Sequence, residues 1–159
     1  MNVNVIAVGK IKEKFYKDAL TEYTKRLSRY CKLTLYEVAD EKTPDQASER
    51  EVELILEKEK ERILKLVREE DYVISLEIKG KKMDSVKLAG EIESLGIRGK
   101  SNLTFVIGGS LGLHKSISDR SNLALSFSDL TFPHQLMRVI LLEQIYRCYR
   151  IINQEPYHK

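Results

Sequence analysis

Two cysteines, three histidines, three prolines and no long apolar run leave this chain few of the usual signs of a chemistry. Cys31 and Cys148 stand apart, outside any C-x-x-C pair, and neither has a histidine at ligand spacing. They are expected to be the reduced thiols of a cytosolic protein. His114, His134 and His158 have no spacing that would build a site with them, so no metal is expected. No segment approaches the roughly 20 apolar residues of a membrane span. The opening MNVNVIAV lacks a basic start and a long apolar region, so neither a signal peptide nor a membrane anchor is expected. Without repeats or a Pro/Gly/Ser-rich linker, residues 1–159 read as a single domain.

What is present is ordinary in amount and uneven in placement. Hydrophobic residues make up 42% and charged residues 32%, a usual globular balance. The net charge of +3 hides a gradient. Residues 10–32 carry eight Lys/Arg against Glu13, Asp18 and Glu22, whereas residues 41–71 carry eleven acids against seven bases. The first segment could face an anion, or both could be charged helix faces in water.

Strand and helix signals alternate. Asn2–Val8 is a β-rich run closed by Gly9, and Glu13–Tyr30 places Phe15, Ala19, Tyr23, Leu27 and Tyr30 at helical spacing. Leu33–Ala39 reads as a second strand. Thr43-Pro44 reads as the cap and first turn of a helix running to about Glu70. Tyr72–Ile78 is a third strand, ended by Lys-Gly-Lys-Lys, and Asp84 caps a helix that reaches Leu95. Leu103–Ile107 and Leu123–Phe127 are strands four and five, and His134 to about Asn153 is a last helix. Strands spaced by helices predict an α/β fold, a largely parallel sheet with helices on both faces. Ligands of such sheets sit outside the carboxyl ends of the strands.

One loop at such an end is FVIGGSLGLHKSI, residues 105–117. It is not a P-loop, because Leu113 and His114 follow Gly112 where that motif needs Lys then Ser or Thr. It is not the Rossmann fingerprint, which needs G-x-G-x-x-G in the first β–α turn, although Asp129 lies near the offset of a ribose-binding acid. Ser110 is not read as the serine of a nucleophile elbow. What remains is a loop whose backbone can approach a ligand, beside a second loop, FSDLTF, with polar tips at Ser128, Asp129 and Thr131 between Phe127, Leu130 and Phe132. That mixture suits a flat, uncharged ring with polar edges. Two ordinary turns would also account for it.

In the last helix the apolar residues from Met137 to Ile152 fill an arc of roughly 200°, where a helix lying on one sheet needs a stripe nearer 100°. The surplus predicts burial against a second copy of the chain. Arg138 falls in the middle of this arc and must reach a carboxylate, a phosphate or water. An internal salt bridge would satisfy it, and so would an anion contact.

Three stretches resemble one family: VIGGSLGL after a strand, YVISLEIKGKKMDS, and LSFSDLTFPHQLMRVILLEQIYRCYRIINQEPYHK. They are similar to the RlmH family of SPOUT-class methyltransferases, which modify a pseudouridine at N3 in 23S ribosomal RNA, and the resemblance spans essentially the whole chain. It implies an α/β sheet whose C-terminal third threads a trefoil knot, and a cytoplasmic homodimer acting on RNA in the assembled ribosome. It also implies S-adenosylmethionine held by Leu76, Gly108 and the loop Phe127, Ser128, Asp129, Leu130, Thr131 and Phe132, with the glycines letting backbone approach it. The chemistry then needs the proton on N3 removed. His158 is the expected base and Tyr157 the stacking ring, while Arg138 and His134 hold phosphate or an exocyclic oxygen. Two other readings stay open: a nucleotide-binding oxidoreductase, and a ribosome-binding factor that keeps the fold without the chemistry.

Overall fold

The computed structural model describes all 159 residues. Alternation sorts the side chains of strand β1 (Asn2–Val8). Val3, Val5 and Ala7 enter one hydrophobic cluster, and Ile6 and Val8 enter a second on the other side. A strand buried on both faces requires helices on both. The remaining elements are α1 (Lys14–Leu27), β2 (Lys32–Val38), α2 (Glu49–Leu64), β3 (Tyr72–Lys82), α3 (Ser85–Ile97), β4 (Asn102–Ile107), α4 (Lys115–Arg120), β5 (Leu123–Ser126) and α5 (His134–Ile152). The five strands run parallel in the order β2-β1-β4-β3-β5. Leu27 of α1, Leu88, Ile92 and Leu95 of α3, and Leu141 and Ile145 of α5 fill one face. Ile63 of α2 and Ile117 of α4 close the other. No helix is long and apolar enough to cross a membrane.

Several boundaries differ from the sequence expectation, each for a local reason. Helix α2 starts at Glu49, not near Pro44. Ser48 and Glu51 exchange side-chain and backbone hydrogen bonds in a capping box, which satisfies two amides where Thr43 could satisfy one. That S-x-x-E signal outranks Thr-Pro, and the helix stops at Leu64 rather than Glu70. Helix α4, at six residues, is too short to show a period and was not expected. Strand β3 does not end at Ile78 but continues through Lys-Gly-Lys-Lys. Leu76 and Lys81 both register with Leu125 of β5, so residues 77–80 leave the sheet as a bulge. Gly80 returns the chain to the sheet, because a Cβ there would lie 2.7 Å from the backbone carbonyl of Ala124.

The wide apolar arc of α5 has an explanation inside one chain. Helices α1 and α3 pack on its two flanks, and Leu141 and Ile145 are fully buried with Tyr149 nearly so, without any second copy. The arc therefore does not by itself require a dimer. Cys31 and Cys148 lie in the same cluster, unpaired, and burial pushes their thiols up to about 11 and about 12.

The glycines of β3 and α3 make opposite predictions. Gly90 has open space where a Cβ would go and lies mid-helix, so Gly90→Ala should stabilise the fold by about 0.5–1 kcal/mol. Gly80→Ala should destabilise it, since the Ala124 backbone must move. Thermal unfolding checks both, with Tm rising for the first and falling for the second.

Candidate active site

All five strands point their carboxyl ends the same way, and a cleft of about 370 Å³ opens there. Its walls are the end of β3 with its bulge, the glycine loop after β4, the loop after β5 and the first turn of α5. Of the eight residues expected to hold a cofactor, Leu76, Gly108, Phe127, Ser128, Leu130, Thr131 and Phe132 line this cleft. Asp129 does not. Its carboxylate faces outward to Lys82, 2.5 Å away. Glu77, Ile78, Lys79 and Leu113 also line the cleft; they lie on loops at strand carboxyl ends but were not named as contacts. Nothing in the sequence showed that β3 would bulge over it.

The glycine loop is shaped by its own backbone. Gly112, at φ +81°, donates its N–H to Gly109 O at 3.1 Å. A Cβ on Gly108 would lie 2.4 Å from Gly112 O. A close approach that demands glycine at 108 is thus made within the loop itself, to Gly112. Opposite, Ser128 Oγ accepts from Leu130 N at 3.0 Å and Ser128 O accepts from Ser126 Oγ at 3.2 Å, which braces the second loop from within.

His134, the first residue of α5, also lines the cleft, whereas Arg138 one turn later does not. Arg138 is only 4% exposed. Nη1 donates to Glu37 Oε2 at 2.8 Å, and Nη2 donates to Val8 O at 3.0 Å and Gly9 O at 2.7 Å. Glu37 Oε2 also accepts from Ile11 N at 2.8 Å. Arg138 is thus committed to an internal ion pair, which corrects its assignment as a phosphate or oxygen contact. Burial lowers its pKa from the ordinary arginine value, and Glu37 partly opposes that shift. Burial, then the neighbouring Arg138 charge, lowers the pKa of His134.

The tail is ordered and folded onto α5. Tyr157 OH donates to Glu143 Oε1 at 3.0 Å, and Arg147 donates to the same oxygen from Nε and Nη2 at 3.1 and 2.7 Å. The Arg147 guanidinium lies 4.6 Å from the centre of the Tyr157 ring, and Nη1 donates to His158 Nδ1 at 3.2 Å. Arg147, unremarked in the sequence, is therefore the hub of the tail. Tyr157 and His158 do not reach the first cleft in this chain. His158 lines another, of about 580 Å³, together with Met83, Val86, Ile140 and Gln144. The two clefts share Leu125, Phe127 and Phe132 as a common wall.

One further histidine cluster is a brace. His114 Nδ1 accepts from Ser116 N at 3.0 Å and caps α4, so the ring proton sits on Nε2. Nε2 faces Glu53 Oε1 at 2.8 Å and Glu57 Oε2 at 3.2 Å on α2. A metal would need the lone pair that this proton occupies.

A fully parallel sheet with this cleft at its carboxyl ends defines an α/β protein with its ligand site in the usual place. The family model described as "Predicted SPOUT methyltransferase" matches residues 1–158. A relative from Methanococcus maripaludis is 63% identical over 159 residues, and the alignment covers 100% of both chains. The ribosomal RNA large subunit methyltransferase H of Clostridium tetani is 59% identical, and that of Clostridium botulinum strain Eklund 17B is 57% identical, again over 100% of both chains. The solved structure of a "probable methylase family protein" from Haemophilus influenzae Rd KW20 shares the fold. Its TM-score is 0.54 at 13% identity, over 99% of this chain and 70% of that one. The chain belongs to the SPOUT methyltransferase family, within the group of the ribosomal RNA large subunit methyltransferases H.

Two measurements test the electrostatics. Glu37→Leu strands a nearly dry guanidinium and should cost about 3 kcal/mol, the low end for breaking a buried pair, read from urea unfolding. Lowering pH should also cost stability through His134. Its folded pKa lies below the ordinary 6.5, so as pH falls through 6.5 the unfolded chain takes up a proton that the folded one refuses. The loss stops growing below the folded value. In His134→Asn the fall between pH 7 and pH 5 should be shallower.

Proposed function

We propose that this chain is an S-adenosylmethionine-dependent methyltransferase that methylates N3 of a pseudouridine in 23S ribosomal RNA, as a cytoplasmic homodimer acting on the assembled ribosome. The observation that carries this reading is the single cleft that gathers seven of the eight expected cofactor residues at the carboxyl ends of the sheet. Its volume and apolar lining suit an adenosine-sized ligand, for which small-molecule sites of about 300–1,000 Å³ are usual. Leu76, Leu125, Phe127 and Phe132 would sandwich a flat ring, and the loop backbones at Gly108 and Ser128–Thr131 would meet its polar edges.

When bound, the cofactor supplies an electrophilic methyl group. The protein's share is alignment and the handling of one proton. His134 stands at the cleft, and burial favours its neutral form. The lysine-bearing loop Gly9–Lys14 lies beside it, since a Cβ on Gly9 would be 3.5 Å from His134 Nε2. Lys10, Lys12 and Lys14 would there attract RNA phosphates. His158 is proposed as the base and Tyr157 as the stacking ring. In this chain the Nδ1 lone pair of His158 is taken by Arg147, so the tail must leave α5 before the ring can accept a proton. A second copy offers it a place to go. The cleft edged by Met83, Val86, Phe132 and Ile140 is an apolar surface that dimerisation would cover, carrying one copy's tail towards the other's cofactor cleft. The trefoil knot belongs to the same proposal. It is supported by the path of the chain from β5, at the sheet edge, back to Arg138 beneath β1.

Labelled methyl transfer to ribosomes from a strain lacking this gene tests the reading. The protein should label 23S RNA, and His158→Ala should slow labelling by about 10²–10⁴ with the cofactor still bound. Ribosome binding without label would leave only an assembly factor, and tight NAD binding would point to an oxidoreductase. A near-normal rate in His158→Ala would reduce the tail to an RNA clamp.

A further inference from the structure

The cleft has one carboxylate, and it is unpaired. Glu77 opens the bulge of β3 and is the only acid among the lining residues. Ser75 Oγ donates to its Oε2 at 2.5 Å and Ser118 Oγ donates to its Oε1 at 2.6 Å, so two hydroxyls on different elements hold it in place. None of the chain's ion pairs includes it. Lys79, the only lysine on the cleft wall, is exposed on the bulge and makes no hydrogen bond to it. A half-buried carboxylate beside Leu76, Ile107, Leu125 and Phe127 has lost part of its hydration and has no cation in return. Hydroxyl donors fix its orientation without neutralising it.

We infer that Glu77 is a specificity-determining residue that makes the cleft select a cationic ligand, and so favours the sulfonium methyl donor over its neutral thioether product. The inference rests on the cofactor reading above and deepens it. The donor's sulfonium gives it one more positive charge than the product. When the methyl leaves for N3, the sulfur keeps the electron pair of the broken bond and that charge disappears. A fixed carboxylate at the wall attracts the ligand before transfer and no longer holds it by charge afterwards. The same side chain would thus strengthen donor binding and speed product release. A carboxylate used only as a hydrogen-bond acceptor, for example towards ribose hydroxyls, would hold both ligands alike.

Calorimetry separates the two roles. S-adenosylmethionine and S-adenosylhomocysteine are titrated into the wild-type chain, Glu77→Gln and Glu77→Asp. Glu77→Gln should weaken the donor about tenfold, as expected of one partly screened charge pair, and should change the product's affinity less than twofold. Glu77→Asp should keep the preference for the donor. In the wild-type chain, raising the salt from 0.05 M to 0.5 M should narrow the gap between donor and product, a readout that needs no variant to fold. Equal losses for both ligands in Glu77→Gln, no loss for either, or a salt-independent gap would each overturn the inference. If the wild-type chain binds neither ligand, the cofactor reading itself falls and takes this inference with it. If it binds both but Glu77→Gln does not discriminate, only the role of Glu77 falls.

Discussion

The interaction on which the site most depends is a guanidinium removed from water. Arg138 projects from α5 into the sheet and ties three elements by their ends. It bonds to Glu37 on β2, and to the carbonyls of Val8 and Gly9 where β1 runs out. A parallel sheet leaves those last carbonyls without strand partners, and the planar fork of an arginine can satisfy two and an acid at once, as a lysine cannot. Glu37 then uses the oxygen it shares with Arg138 to hold the Ile11 amide, so the first β–α loop is fixed by the same pair. One turn back along α5, His134 takes its position over Gly9, and burial, then the nearby Arg138 charge, gives it a preference for the neutral form.

Around that clamp, the cleft is built from loops that are each satisfied internally. The glycine turn closes on itself through Gly109 and Gly112, and the loop after β5 closes through Ser126, Ser128 and Leu130. Their backbones hold their shape without a ligand, the condition for a preformed site. The tail follows the opposite logic. Tyr157 and His158 contact Glu143 and Arg147, the Tyr157 ring packs edge-on against Tyr146, and Glu155 and the Pro156 carbonyl are held by Tyr30 and Arg150. The groups that hold it keep part of their surface in water, in contrast to Arg138.

Much of this was legible beforehand, because alternating apolar runs and helical stripes report burial directly. The five strands, the long α5 and the loops that form the cleft were placed to within a few residues, with family likeness supplying the loops' expected purpose. What was not legible came from pairings distant in sequence. The bulge of β3 depends on Leu125 having two partners, and only the sheet reveals that. Arg138 could be read as needing an anion, but its choice of Glu37, 101 positions away, lay in the topology. The α5 arc was read correctly as apolar beyond what a sheet needs, but neighbouring helices of the same chain bury much of it, since period alone cannot tell such a helix from one of another copy. Glu77 lay at the carboxyl end of a strand, where ligands are expected, but nothing in its type or spacing marked it out within that segment.

The strand order also sets a clock. Asn2 of β1 pairs with Asn102 of β4, 100 positions later, while β2 on the other flank lies only about 30 positions away along the chain. A nascent chain therefore makes its central strand early and can pair only one edge of it. At about 5–20 residues per second, the second edge waits for about 5–20 s. Through that interval the apolar side chains of β1 and β2 have neither β4 nor α5 to cover them, and Arg138 has not yet been synthesised to secure the end of β1. Folding of this small protein is thus limited by non-local pairing, the slow class for its size, and completion must wait for the helix that bears the clamp.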